Sequence, residues 1–264
     1  MPSLGLGLGI GKGSDKLPYN SYAQAWFTAV EATGATILAA NKNSISRFFS
    51  ALSSGGVLSS IQQANLFLGS SNLAGALVPI VGKTPTNGGG TAFTDADYNR
   101  LTGLKANASN QYLKTGQSNP DATVTSRHIY VCTTANATTT TTNAYLIGSG
   151  NASGDTRIWQ PSVAAGSLSM GIVSGTTTVT PTFNQTNGWG ISRPDASTII
   201  PYINATQTSI ANTITTPTST EFGVFATGTG VGKTDARIAF YSIGTYADLS
   251  VIDTAIKNLL AVIV

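Results

Sequence analysis

The spacing of apolar residues changes from helical to strand-like near Asn65 and stays so until about Leu249, and that pattern limits the folds open to the chain. Before Asn65, Trp26, Phe27 and Val30, and then Ile45, Phe48, Phe49 and Leu52, recur three and four positions apart, as on one side of a helix. After it come short runs of Ile, Val, Tyr, Phe and Thr separated by Gly, Pro and Asn, which is strand punctuation. No helical period interrupts these runs until about Leu249, so helices alternating with parallel strands are excluded. The predicted fold is mainly β: an antiparallel β-sandwich with an N-terminal helical segment and a C-terminal helix.

The strand runs are Asn65–Gly69, Arg127–Thr134, Ala144–Gly148, Arg157–Gln160, Ser167–Val173, Gly188–Arg193, Thr198–Ile203, Glu221–Ala226 and Arg237–Ile243. Asn20 or Ser21 can cap the first helix and Gly34 can end it, Gly55-Gly56 closes the second, and Val57, Leu58 and Ile61 suggest a short third. The last helix spans about Leu249–Ile263. Three zones result: an arm over residues 1–18, a helical attachment segment over 19–64, and a sandwich closed by the final helix over 65–264.

In the arm, Leu4, Leu6, Leu8 and Ile10 alternate with glycine. Extended, such a segment has one apolar face and one bare face, and glycine makes it costly to order alone. It reads either as a passive tail or as an element that orders against another subunit. Trp26, Phe27, Phe48 and Phe49 offer more aromatic surface than short helices need to cover a sheet edge. Together with the arm they are candidates for an assembly surface in a homo-oligomer.

Charge is scarce: 9% of residues against about a quarter in ordinary soluble domains. Glu31 and Glu221, His128 and Cys132 are the only members of their kinds. Acid–base and nucleophilic catalysis draw on those residue types, so the chain reads as a building block or binding module and not as an enzyme. The net charge is +3, but the fourteen basic residues are scattered singly, which does not suit nucleic acid. Cys132 has no partner for a disulfide or a metal site and reads as a small buried residue. Met1–Gly13 lacks the continuous apolar core of a signal peptide, and Asp253 and Lys257 interrupt the apolar C-terminal segment, so no membrane insertion is expected.

Gly228-Thr229-Gly230-Val231-Gly232-Lys233-Thr234 imitates a phosphate loop, but its first glycine is replaced by Thr227 and a strand follows where a helix is needed. A glycine-rich hairpin connection fits better. Asp95 and Asp97 could begin a Ca²⁺ site, although a loop turn uses the same residues. No cofactor is implied, and neither a metal site nor a paired-carboxylate site is established. Trp159, Trp189 and Tyr202 are the candidates for stacking on a sugar.

Several segments, in order, carry a resemblance over most of the chain. They are the Gly-Leu-Gly-Leu-Gly opening, Tyr22–Ala32, Leu73-Ala74-Gly75-Ala76-Leu77-Val78-Pro79, Asp97-Tyr98-Asn99-Arg100-Leu101-Thr102-Gly103-Leu104, Asn110-Gln111-Tyr112-Leu113, and Arg237-Ile238-Ala239-Phe240-Tyr241-Ser242-Ile243-Gly244 before a terminal helix. The chain resembles tailed-bacteriophage virion structural proteins whose central region is a concanavalin A-like or laminin G-like jelly roll. The resemblance implies a virion component made in the host cytoplasm, in a tail fibre or baseplate, with a trimer favoured and other virion proteins as partners. A carbohydrate-binding module recognising host surface polysaccharide is the alternative from a different class, and a head decoration or head fibre is a second structural one.

Overall fold

The computed structural model describes residues 18–118, 126–138, 143–150, 155–161, 167–172, 175–179, 186–214 and 220–264. The arm residues Leu4, Leu6, Leu8 and Ile10 lie outside the described residues.

Three layers stack on one another. The first is helical: α1 (Ser21–Ala32), α2 (Ala39–Ser54) and α4 (Leu249–Leu260), with a one-turn α3 (Leu73–Ala76) beside them. Asn20 starts α1 by accepting the Tyr22 amide, and Asp248 starts α4 by accepting that of Ser250. Each helix puts one stripe inward: Ala23, Trp26, Phe27 and Val30 on α1, and Ile45, Phe48, Phe49 and Leu52 on α2.

The middle layer is a ten-stranded sheet. Its strands are β1 (Ile61–Leu66), β2 (Pro79–Val81), β4 (Tyr98–Asn99), β5 (Gly103–Lys105), β7 (Arg127–Ala135), β12 (Asn187–Arg193), β13 (Thr198–Ile203), β14 (Thr206–Gln207), β15 (Ile210–Ala211) and β17 (Arg237–Gly244). The main path runs β14-β13-β12-β7-β17-β1-β2. The outer layer has seven: β3 (Thr86–Asn87), β6 (Leu113–Ser118), β8 (Ala144–Gly148), β9 (Arg157–Gln160), β10 (Leu168–Ile172), β11 (Gly175–Val179) and β16 (Glu221–Val224), in the order β11-β10-β9-β8-β16-β6-β3. The ladder pairs within both sheets are antiparallel, so the expected mainly-β sandwich is the observed fold.

Alternation along each strand sorts the side chains. On β7, Ile129 and Val131 enter the core between the sheets, while Tyr130 and Cys132 enter the core under the helices. On β12, Trp189 and Ile191 face between the sheets, and the opposite face carries Gly188 and Gly190. Those glycines let α4 lie close. A Cβ at 188 would stand 1.8 Å from an Asp253 carboxylate oxygen, and one at 190 would stand 2.6 Å from a Leu249 methyl.

Two expectations need correction. The third helix shrinks to a single 3-10 turn over Leu58–Ser60, and the sandwich begins at Ile61, not Asn65. Gln63 and Asn65 explain why: both are buried in β1 and hydrogen-bonded, Gln63 to the Lys83 backbone and Asn65 to the Leu77 carbonyl and the Tyr241 hydroxyl. The glycine-rich Thr227–Thr234 stretch is likewise no hairpin. It leads from β16 in one sheet to β17 in the other, pinned by Thr227 to the Val231 amide and by Lys233 to the Gly230 carbonyl.

Candidate functional site

The three aromatics expected to offer a sugar-binding face lie in three separate environments. Trp189 is buried between the sheets, its indole N–H donating to the Thr133 hydroxyl at 3.2 Å. Tyr202 is buried on the opposite side of the ten-stranded sheet, under α4. Trp159 belongs to the seven-stranded sheet, where it pairs with Tyr145 across β8 and β9 and stacks on it at 5.9 Å; the Arg157 guanidinium lies 4.5 Å over its ring. It is 7% exposed. As a shared face for a ligand the set is therefore corrected. Strand alternation sends Trp189 and Tyr202 to opposite faces, and Trp159 already has aromatic and cationic partners.

The expected assembly aromatics are also turned inward. Trp26, Phe27, Phe48 and Phe49 are each at most 3% exposed. They form a continuous edge-and-tilt series: Tyr19 on Phe27, Phe27 on Trp26, Trp26 on Phe49, Phe49 on Phe48, and Phe48 on Phe240 of β17. Tyr130 and Tyr202 extend it across the sheet. Trp26 also donates its N–H to the Val78 carbonyl. This surface is used within the chain, because three helices rest on a whole sheet face and not on an edge.

At the end of that series sits a cluster the sequence reading did not single out. Asp253, on the inner side of α4 and 2% exposed, accepts hydrogen bonds from the Tyr130 hydroxyl at 2.6 Å and the Tyr202 hydroxyl at 2.8 Å. Lys257, one turn on, closes the set at 2.8 Å. Burial pushes both tyrosine pKa values up; the Asp253 carboxylate adds to this at Tyr202, and Cys132 and Asp253 add to it at Tyr130. Cys132 beside them is pushed up to about 12 by burial, leaving it a protonated, unreactive thiol at neutral pH. A signal existed in the sequence: Asp253 falls inside the apolar stripe Leu249, Ile252, Ile256, Leu259, where a carboxylate needs a partner. The cluster anchors α4 to β7 and β13.

His128 is fully buried in β7. Its Nδ1 lies 2.5 Å from the Thr245 carbonyl, so Nδ1 carries the proton, and Nε2 accepts from the Ser242 hydroxyl at 3.1 Å. Burial lowers its pKa to about 4, only partly opposed by the Thr245 bond. The sign for stability follows. Below about pH 6.5 the unfolded chain protonates His128, whereas the folded chain resists until about pH 4. Stability is thus fully retained above 6.5 and falls through that window, by roughly 3 kcal/mol at its acid end. Urea midpoints at pH 7 and pH 4.5 should drop more in the wild type than in His128→Gln. Equal drops in the two proteins would show that His128 does not set the acid limit.

Asp95 and Asp97 organise a turn. Asp95 accepts the Leu73 amide at 2.7 Å, and Asp97 accepts the Thr94 amide, the Thr94 hydroxyl and the Gln111 side-chain amide. Among the described residues no three His, Cys, Asp or Glu side chains converge as metal ligands. None of the described helices is long and apolar enough to cross a membrane.

A concavity runs along the outer side of the helical layer between α2 and α4. One part has a volume of about 350 Å³ and meets a second of about 370 Å³ that shares Ala51, Ala255 and Asn258. On the opposite side of the molecule, near the β3–β6 edge, surface amides and hydroxyls bond one another: Asn107 to Asn110, and Asn110 to Thr91.

No family model matches the chain, and no curated protein matches it. Solved structures do. The botulinum neurotoxin serotype D binding domain matches at 11% identity with a TM-score of 0.51, over 79% of this chain and 52% of that one. The serotype G binding domain matches at 11% and 0.50, over 75% and 51%. The Ruminococcus gnavus IT-sialidase CBM40 matches at 12% and 0.40, over 51% and 84%. The chain spans about half the length of the two neurotoxin domains. At these identities the likeness is one of architecture, and the fold is that of a mainly-β antiparallel sandwich.

Proposed function

We propose that the protein is a non-catalytic recognition module whose sandwich binds carbohydrate at a host surface. The observation that carries this reading is the pairing of that sandwich with a charge-poor exterior in which amides and hydroxyls, such as Asn107, Asn110 and Thr91, form the polar surface. Sugars offer the same neutral donors and acceptors, and such contacts need no ionised side chain. Architecture shared with neurotoxin binding domains supports the reading; a shared fold alone would not suffice, since one fold serves many functions. The purified protein should bind immobilised capsular or cell-wall polysaccharide saturably and without turnover. Absence of saturable binding to every polysaccharide of a susceptible host, or release of shortened sugars, would overturn it.

A second reading, a structural component of a tailed-phage virion in a tail fibre or baseplate, is favoured by the resembling segments themselves. They include most of α1, all of α3 and the central strand β17, while α2 and most strands of both sheets lie outside them. Both roles can reside in one molecule. Mass spectrometry of purified particles tests the second, and its absence from particles would sink it.

A further inference from the structure

We propose that Arg157, on the outer face of the seven-stranded sheet, anchors the carboxylate of an acidic sugar. The inference rests on the carbohydrate reading above and names the class of sugar residue that this point of the sandwich takes. Ile158 enters the core between the sheets, so Arg157 and Trp159 on either side of it face outward. The guanidinium lies 4.5 Å over the Trp159 ring, and Tyr145 stacks on that ring at 5.9 Å. Trp159, Tyr145 and Ser169, the cross-strand partner of Trp159, are at most 7% exposed. Arg157 is partly exposed, so the cation is the group this patch presents.

Room beside Arg157 is set by the register. Its partners across the two ladders are Gly148 on β8 and Gly171 on β10, so neither neighbouring strand places a side chain next to it. Gly148 pairs in turn with Gly223 on β16, and there the row closes: a Cβ at 223 would stand 2.4 Å from the Thr227 carbonyl oxygen. At Gly148 the atoms nearest such a Cβ belong to Arg157 and Tyr145. The stretch without side chains thus runs from β8 to β10, with Arg157 at its middle.

No carboxylate of the described chain neutralises this cation. Among the described residues Arg157 enters no ion pair, and its Nε is buried without a hydrogen bond. Asp155, two residues earlier, turns its carboxylate to Ser149 and Gly150. Glu221 accepts the Gly116 amide at 2.6 Å. The guanidinium faces the Tyr145 hydroxyl, a neutral group, whose pKa is raised by burial and held back by Arg157. With Nε closed off, the two Nη groups form the edge that meets a ligand. Their parallel N–H donors match a planar carboxylate. A guanidinium already held flat on an indole loses little freedom when it binds. The sugar ring then lies over the glycines, and Trp159 serves as a positioning residue and not as a stacking platform.

Titration of isotope-labelled protein by NMR tests the site. The Arg157 side-chain N–H signals are assigned by their absence from Arg157→Lys. Sodium glucuronate should shift them, together with the Gly148 and Gly171 amides, saturably. Glucose should leave them in place, and acetate, a carboxylate without a ring, should bind several-fold more weakly. Read at the two glycine amides, Arg157→Lys should weaken glucuronate binding by roughly tenfold or more at unchanged Tm, the size of a charge-assisted hydrogen bond. Trp159→Phe keeps a ring with a weaker face and should weaken it by less. No response to glucuronate, an equal response to acetate, or equal affinity in Arg157→Lys would overturn the proposal. Polysaccharide binding is measured separately. Saturable binding of a neutral polysaccharide that Arg157→Lys leaves unchanged would sink the anchor and keep the recognition reading, and glucuronate binding with no polysaccharide bound would do the reverse.

Discussion

Asp253→Ala should cost roughly 3–5 kcal/mol of stability, the range for removing one partner from a buried charged cluster. The loss has a definite source. Tyr130 and Tyr202 are both buried and both donate to this carboxylate, so its removal leaves two hydroxyls without an acceptor. Lys257, a third exposed, can return to water and contributes less. Asp253→Asn keeps one acceptor oxygen and should lose less, and Tyr202→Phe less still. For a chain of this length the alanine change corresponds to a fall in Tm of roughly 10 °C. Calorimetry on the three variants checks the order; an alanine variant melting within 2 °C of wild type would remove the cluster's structural role.

Phe48→Ala carries the other large effect. Its ring touches Phe49 on the same helix and Phe240 on the central strand, so truncation opens a cavity at the joint between helices and sheet. Truncating a buried phenylalanine costs about 3–5 kcal/mol, and because helices and sheet share this core the whole chain should melt earlier in one transition. The experiment also separates two roles for the aromatics. If they served subunit contact, the variant would lose assembly and keep its Tm. Light scattering beside thermal melting distinguishes the outcomes.

Much of the sandwich was readable because its central strands are written in apolar and β-branched residues. Ala144–Gly148, Arg157–Gln160 and Thr198–Ile203 begin and end where the sequence pattern does. Strands built from polar residues were not readable. Leu113–Ser118 and Gly175–Val179 are absent from the strand runs, and Ile61 falls in with Val57 and Leu58 as a short helix, because Gln, Asn, Thr and Gly look alike in turns and in hydrogen-bonded buried strands. For single aromatics the limit is different. Periodicity tells that Trp189 and Tyr202 belong to strands, but only pairing tells which layer covers each face. The composition pointed to a module without acid–base machinery and carried no information on where a ligand would rest.

The placement of β17 has a consequence for synthesis. This strand lies between β7 and β1 and pairs Gly244 with Ile61, so residues far apart in the chain meet at the middle of the sheet. A growing chain therefore carries β1 and β7 with open edges until Arg237–Gly244 has left the ribosome. Non-local pairing of this kind forms slowly, and unpaired strand edges invite association with other nascent chains. In a cell making many copies at once, chaperone supply and translation rate set the yield of folded protein, and a chain cut short before Arg237 has no central strand with which to close.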